Sequence, residues 1–239
     1  MGTLINVGAI LLGGIIGLFA GKLCTERLQN MMINVCGVCT LFIGISGALK
    51  EILVIGDGGS ISTQGTMMMI CCFAIGSLIG EIINISKWLD RFAKWLKVKS
   101  GSENDKSFVA GFVTTSMTVC IGAMAIVGSI QDGILHDPST LIAKSILDFI
   151  IVIIMTASMG KGCIFSAIPV GILQGGVTLC SGFLAPVLSE TAISNLGLVG
   201  SVMIFCVGLN LIRDKKVDVA NMLPTLVVAV LWAVLGGRG

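Results

Sequence analysis

The chain has 239 residues, of which 55% are hydrophobic and 12% charged, with a formal net charge of +2 and a mean hydropathy of +1.02. A soluble domain of this size carries about 25% charged residues, so the composition excludes an ordinary soluble protein. Several uncharged stretches exceed the roughly 20 residues that a helix needs to cross a bilayer. These stretches cover residues 28–48, 58–80, 107–131, 162–189 and 191–212. The sequence therefore predicts an all-α, polytopic membrane helical bundle.

The apolar segments predict eight transmembrane spans. In chain order they cover about residues 3–21, 31–49, 65–83, 108–130, 140–158, 163–186, 195–212 and 221–237. The first segment lacks a basic start and is long enough to be a mature span, so we expect no cleavable signal peptide. We expect a bend in the sixth span, because Gln174-Gly175-Gly176 interrupts it.

Basic residues sort onto alternate loops. With eight spans, the loops after the first, third, fifth and seventh share one side of the membrane, here called the basic side. It carries Lys22, Arg27, Lys87, Arg91, Lys94, Lys97, Lys99, Lys106, Lys161, Arg213, Lys215 and Lys216. The other side carries Lys50 and Arg238. By the positive-inside rule, the basic side is cytoplasmic and both termini are extracytoplasmic.

Residues 83–97 predict an amphipathic helix between the third and fourth spans. Its apolar face carries Ile85, Trp88, Leu89, Phe92, Trp95 and Leu96, and its polar face carries Asp90, Arg91, Lys94 and Lys97. This pattern is typical of a helix in the membrane interface, where it serves as an anchor. A gating or partner-binding role is the alternative.

A weak internal repeat relates the first three spans to the last three. Gly13-Gly14 is echoed by Gly175-Gly176, Thr25-Glu26 by Ser189-Glu190, Gly44 by Gly208, and Gly80 by Gly236. A single membrane domain, residues 1–239, would then contain repeats 1–86 and 163–239 around the central spans 108–158. The two repeats would have inverted topology, which is a common plan in secondary transporters.

The fifth span carries two charges, Lys144 and Asp148, inside an otherwise apolar stretch. Residues four apart lie on the same face of a helix. Charged side chains inside a bilayer are costly, so they pair, face the protein interior or line a wet path. In the functional interpretation, Lys144 attracts an anionic group and Asp148 binds a cation or a proton. In the structural interpretation, the pair only locks spans four to six together.

Other polar residues extend this candidate site. The fourth span ends in a polar cluster, Gln174 lies in the sixth span, and Asn210 lies near the end of the seventh. Asn210 could equally cap or cross-link helices. The predicted substrate-binding residues are Lys144, Asp148, Gln131, Asp132, Ser129, Gln174 and Asn210. Between the fourth and fifth spans, residues 137–140 predict a turn and an N-cap that open the fifth span.

Motifs for enzyme chemistry are lacking, so we expect neither catalytic residues nor a cofactor. Neither Gly-Lys pair is followed by Ser or Thr, which argues against a phosphate-binding loop. His136 is the single histidine, which limits metal sites. Cys36 and Cys39 lie in an apolar helix without charged helpers, which disfavours redox or metal chemistry.

Several motifs resemble the bacterial membrane family of domain of unknown function 554, the YqgA-like proteins. They are Cys120-x-Gly122-x-Met124-Ala125-Ile126-x-Gly128-Ser129-Ile130-Gln131-Asp132-Gly133, Asp137-Pro138-Ser139-Thr140-Leu141, Lys144-Ser145-x-Leu147-Asp148 and Val219-Ala220-Asn221-x-Leu223-Pro224. The likeness covers essentially the whole chain. It implies a location in the bacterial inner membrane and leaves the substrate open.

The leading hypothesis is a secondary transporter or a channel for a small solute or ion. Its partners would be the lipid bilayer and the transported solute, with no nucleic acid; glycine-rich helix faces leave a homodimer open. One alternative is a non-transporting accessory or structural membrane subunit. Another is an intramembrane redox enzyme that uses Cys120 and Asp148.

Overall fold

A computed structural model of the chain describes residues 1–23, 25–55, 59–120, 123–184, 188–213 and 217–236. Gly122, Lys215, Lys216 and Arg238, which entered the predictions above, lie outside these ranges. The α-helices are α1 Gly2–Leu23, α2 Glu26–Ile52, α3 Thr66–Ile83, α4 Ile85–Lys99, α5 Phe108–Cys120, α6 Ala123–Ile134, α7 Ser139–Met159, α8 Ala167–Leu179, α9 Ser181–Leu184, α10 Glu190–Ile212 and α11 Pro224–Gly236. Short 3₁₀ helices, Lys161–Ser166 and Val219–Met222, precede α8 and α11. The all-α bundle is therefore confirmed.

A small β-hairpin follows α2 and was not predicted. Its strands are β1 Leu53–Ile55 and β2 Ile61–Thr63, which pair antiparallel with Leu53 opposite Thr63. The alternation that marks a strand is hard to recognise in three residues, particularly beside a long apolar helix.

Among the described residues, seven helices are long and apolar enough to cross a membrane. Helices α5 and α6, bent by 60° relative to each other, pass this test only as a pair, as a broken span or a re-entrant loop. Seven of the eight predicted spans are thus confirmed, and the predicted fourth span corresponds to this pair, here called the broken span. The bend expected at Gln174 is absent, because α8 runs unbroken from Ala167 to Leu179.

Glycines bring α1 and α7 into close contact. Gly13, Gly17 and Gly21 are spaced by four residues and therefore lie on one face of α1. A Cβ atom at Gly17 would lie 2.6 Å from the carbonyl oxygen of Ile153, and one at Gly21 would lie 2.7 Å from that of Ala157. Only glycine permits this backbone approach, which is the usual role of small residues in membrane helix packing.

The same device joins α2 to α10. A Cβ atom at Gly44 would lie 2.5 Å from the backbone nitrogen of Phe205, and one at Gly208 would lie 2.7 Å from that of Leu41. Since the partner number falls as the glycine number rises, the two helices run antiparallel. These contacts place α10 against α2 along its length.

The largest cluster of buried side chains lies where α10 meets α3, α5 and α11. Phe108, Phe112 and Met203 are fully buried there. Helix α4 packs on this cluster through Ala93 and Leu96, which are 0% and 6% exposed. Helix α10 is therefore enclosed on several sides, whereas α1, α2 and α3 expose many apolar side chains.

Helix α4 carries the amphipathic pattern expected of it and has the predicted length, but it lies two residues later, at Ile85–Lys99 instead of 83–97. It starts after Asn84, whose φ of 58° turns the chain sharply away from α3. Trp88 and Trp95 are 69% and 53% exposed, and the Lys99 ammonium lies 4.9 Å from the Trp95 ring centroid. An exposed aromatic and basic surface suits a membrane interface, and that location stays a prediction.

Helix α7 begins at Ser139, as the turn motif predicts. The backbone N–H of Ser139 donates to Asp137 Oδ1 at 3.0 Å. This hydrogen bond, together with one from the Ser139 side chain, lowers the pKa of Asp137. The charged form of Asp137 therefore supports the turn that leads into α7.

Candidate functional site

Lys144 and Asp148 form an ion pair on one face of α7, as their spacing predicts. The Lys144 ammonium donates a hydrogen bond to Asp148 Oδ2. The two side chains are only 8% and 5% exposed. Lysine can extend toward the membrane surface when its stem allows, but here it stays inside the bundle.

A second contact of Lys144 explains why it stays inside. Its Nζ donates to the backbone carbonyl of Val119 at 2.8 Å. Val119 belongs to the last turn of α5, where carbonyl groups lack partners within the helix. A cation at a helix C-terminus is also favoured by the helix dipole. Lys144 therefore binds the end of the broken fourth span to α7.

Asn6 and Gln174 complete a four-residue polar cluster around Asp148, here called the charged cluster. Asn6 Nδ2 donates to Asp148 Oδ2 at 2.9 Å and to Gln174 Oε1 at 3.3 Å. Asn6 and Gln174 are 0% and 1% exposed. The cluster thus joins α1, α7, α8 and the end of α5, and it contains three of the predicted residues.

Asn6 is a site residue that the sequence analysis missed. It is the one residue between Thr3 and Gly21 with a side-chain amide. A buried asparagine in a membrane helix forms hydrogen bonds across helices, which is the same signal that singled out Gln174. The sequence shows an amide side chain in the first span, but it does not show that Asp148 and Gln174 are the hydrogen-bond partners of this amide.

Two atoms of the charged cluster have no hydrogen-bond partner within the described part of the chain. They are Asn6 Oδ1, an acceptor, and Gln174 Nε2, a donor. Reversing the Asn6 amide would turn its oxygen toward the carboxylate of Asp148, so the assigned orientation is the favourable one. Buried polar atoms of this kind usually bind a water or a ligand. The cluster can therefore accept one more hydrogen bond at Asn6 Oδ1 and donate one more at Gln174 Nε2.

The polar end of α6 forms a separate cluster. Asp132 Oδ2 accepts hydrogen bonds from the backbone N–H of Gly2 and the α-amino group of Met1, both at 2.9 Å. Thr140 Oγ1 donates to Gln131 Oε1 at 2.6 Å, which ties α6 to the start of α7. Asp132 and Gln131 thus hold the first turns of α1 and α7, two of the helices that contribute to the charged cluster.

Ser129 and Asn210 do not contact the charged cluster. Ser129 Oγ donates to the carbonyl of Ala125 in its own helix at 2.6 Å. Asn210 Nδ2 donates to the Val217 carbonyl at 2.6 Å, and its Oδ1 accepts from the Val217 N–H at 3.0 Å. Both Asn210 bonds close the loop after α10, which favours the capping alternative for this residue.

We expect Asn210→Ala to lower stability by about 1–3 kcal/mol, because the change leaves the backbone groups of Val217 without their partner. Thermal unfolding of the detergent-solubilised protein measures this loss. Asn34→Ala, at an exposed position of α2, is the control. Equal midpoints for both variants would contradict the capping role.

The described ranges contain no group of three or more His, Cys, Asp or Glu side chains able to hold a metal ion. The charged cluster instead offers one carboxylate, one ammonium and two amides. This set suits hydrogen bonding to a small polar group or exchange of a proton.

Comparisons with known proteins cover nearly the whole chain. The family described as "Protein of unknown function (DUF554)" matches residues 1–234. The "Uncharacterized protein YqgA" of Escherichia coli (strain K12) is 29% identical over 233 residues, which is 96% of this chain and 94% of that protein. The "Uncharacterized membrane protein YdfK" of Bacillus subtilis (strain 168) is 26% identical over 227 residues, or 95% and 93%. No solved structure matches the chain significantly.

Proposed function

We propose a transport function for this chain, which belongs to the DUF554 family and has the helices of an integral membrane protein. It would be a secondary transporter or a channel for a small solute or ion in the bacterial inner membrane. The observation that carries this proposal is the charged cluster. It combines a buried ion pair, the end of a broken span and two amide atoms with no partner among the described residues.

Incomplete hydrogen bonding favours a functional cluster over a structural lock. A buried ion pair is weak evidence for stability, because desolvation offsets the attraction of the charges. A lock would also be expected to satisfy the polar atoms around it. Here Asn6 Oδ1 and Gln174 Nε2 stay open while both residues are buried. Asp148 would bind the transported group or a proton, and Lys144 would balance its charge.

Two cavities at opposite ends of α10 support a passage through the bundle. The first measures about 520 Å³ and is lined by Asp90, Lys106, Asn210 and Asp218 near the basic side. The second measures about 750 Å³ and is lined by Glu51, Glu190 and Ser194 near the other end of α10. The stretch of α10 between them carries the buried side chains of Val199 and Met203. The two cavities, here called vestibules, are not lined by the charged cluster; alternating access would connect each of them to it in turn.

The proposed inverted repeat gains support from α2 and α10. The N-caps match, because Thr25 Oγ1 accepts from the N–H of Leu28 and Ser189 Oγ accepts from the N–H of Ala192. Both glycines of the predicted pair, Gly44 and Gly208, also pack closely on the partner helix. The echo of Gly80 in Gly236 lacks such support, since Gly80 packs on Asn221, while a Cβ at Gly236 would meet only Trp232 of its own helix within 4 Å among the residues that the structure describes.

Topology and assembly complete the proposal. In the proposed topology, the loops after α1, α4, α7 and α10, which carry most of the basic residues, lie in the cytoplasm and both termini lie outside it. The exposed apolar faces of α1, α2 and α3 suit contact with a second copy of the chain as well as contact with lipid, so the proposal is compatible with a homodimer.

Solute uptake into proteoliposomes tests the proposal. We expect Asp148→Asn and Lys144→Met each to reduce uptake of the transported solute strongly, because each change leaves a buried charge without its partner. A panel of amino acids, small anions and alkali cations would first identify a solute that the unaltered protein moves. Matched controls are Asp137→Asn and Lys50→Met, which remove the same charges from exposed positions.

The outcome separates the two leading functions. Uptake that needs Lys144 and Asp148 but neither control residue would support the transporter. Uptake unchanged in both cluster variants, with folding intact, would instead assign the ion pair a structural role and remove it as the transport site. No uptake of any solute by the unaltered protein would favour the non-transporting accessory subunit.

A further inference from the structure

A largely apolar cavity of about 320 Å³ lies beside the end of α5. Its walls come from α4, α5, α6, α8, α10 and α11, and the lining includes Leu173, Leu196 and Leu226. Two less apolar residues, Ser116 and Cys120, contribute to the wall from α5. Ser116 is 1% exposed, and its hydroxyl has no hydrogen-bond partner in the described ranges. The cavity thus combines an apolar interior with one unused hydroxyl.

This cavity reaches the edge of the charged cluster. Cys120 directly follows Val119, whose carbonyl accepts the hydrogen bond from Lys144. The same turn of α5 therefore faces the cavity at one residue and binds the ammonium at the other. A molecule in the cavity would lie next to the end of the broken span.

Met117 separates the cavity from the 520 Å³ vestibule, since it lines both. Met117 is 7% exposed, so its side chain is packed among its neighbours in this partition. Methionine has three rotatable bonds and adapts its shape easily.

We propose that this cavity binds a small neutral molecule with an apolar body and one hydrogen-bonding group, which enters from the vestibule past Met117. The lining holds no charged side chain among the described residues, and Lys144 and Asp148 neutralise each other, so an ion is disfavoured there. Ser116 Oγ supplies the partner for the polar group. The inference rests on the proposed transport function, for which it specifies the class of solute.

Chemical modification of Cys120 tests the partition. Methyl methanethiosulfonate, a small neutral reagent, is added to the reconstituted protein, and the modified peptide is quantified by mass spectrometry. We expect Met117→Ala to speed modification of Cys120 several-fold, because the smaller side chain opens the partition. Met67→Ala, at a position that is 72% exposed, and the rate at the exposed Cys39 are the controls. An unchanged Cys120 rate in folded Met117→Ala would overturn the role of Met117.

Protection by hexan-1-ol tests the ligand class. We expect the alcohol to slow modification of Cys120 and not of Cys39, and Ser116→Ala to weaken this protection several-fold. Equal effects at both cysteines would reveal a general action on the bilayer and contradict a binding cavity. A tightly held phospholipid in the cavity, which hexan-1-ol fails to displace, would also contradict the proposed class of ligand.

The two proposals fail independently. Protection of Cys120 together with uptake that is insensitive to Asp148 would leave a binding cavity without the proposed transport site. Uptake that depends on Asp148, without protection of Cys120 by hexan-1-ol, would remove the cavity as the route and retain the transporter.

Discussion

Asp148→Asn is expected to destabilise the protein by about 3–5 kcal/mol, because it leaves the Lys144 ammonium buried without a counter-ion. Lys144→Met is expected to have a similar effect by stranding the carboxylate. At roughly 2–4 °C for each kcal/mol in a chain of this length, each single change lowers the thermal midpoint by about 10 °C. Differential scanning fluorimetry in detergent measures the shift.

The double variant, Lys144→Met with Asp148→Asn, makes this prediction specific. Removing both charges abolishes the desolvation cost as well as the attraction, so we expect the double variant to be more stable than either single variant. Lys50→Met, at a position whose side chain is 81% exposed, serves as the control, with a shift close to zero. Simple addition of the two single effects would show that Lys144 and Asp148 are not coupled.

Gly17→Leu is expected to disrupt the contact between α1 and α7, with a loss of about 3 kcal/mol or more. Even a Cβ atom at Gly17 would lie 2.6 Å from the Ile153 carbonyl oxygen and 2.7 Å from Thr156 Cβ. The backbones of α1 and α7 would have to separate. Since α1 carries Asn6, separation would also pull the amide from Asp148 and reduce uptake.

Gly8→Leu provides a matched control on the same helix, because no atom of the described residues outside the local backbone lies within 4 Å of a Cβ at Gly8. We expect its unfolding midpoint to stay close to that of the unaltered protein, and Gly17→Ala to fall between the two. Equal stability of Gly8→Leu and Gly17→Leu in thermal unfolding would contradict close packing of α1 on α7.

The resemblance drawn from local motifs agrees with the family match over residues 1–234. Those motifs surround Lys144 and Asp148, which form the ion pair of the charged cluster. Motif and structure therefore select the same part of the chain.

The sequence by itself determined the membrane class, the positions of the apolar spans and the shared helix face of Lys144 and Asp148. Each of these depends on residues that are near each other in the chain. Hydropathy over about 20 residues decides whether a helix can cross the bilayer, and a spacing of four residues places two side chains on one helix face.

Only the tertiary structure decided which other residues join the pair. Asn6 reaches Asp148 and Gln174 across 142 and 168 positions of the chain, while Gln131, Asp132, Ser129 and Asn210 bond elsewhere. Polar side chains in a bilayer bind whichever partner the packing of the helices brings near. That packing depends on close backbone contacts at particular glycines, and a glycine-rich sequence does not show which of its glycines make them.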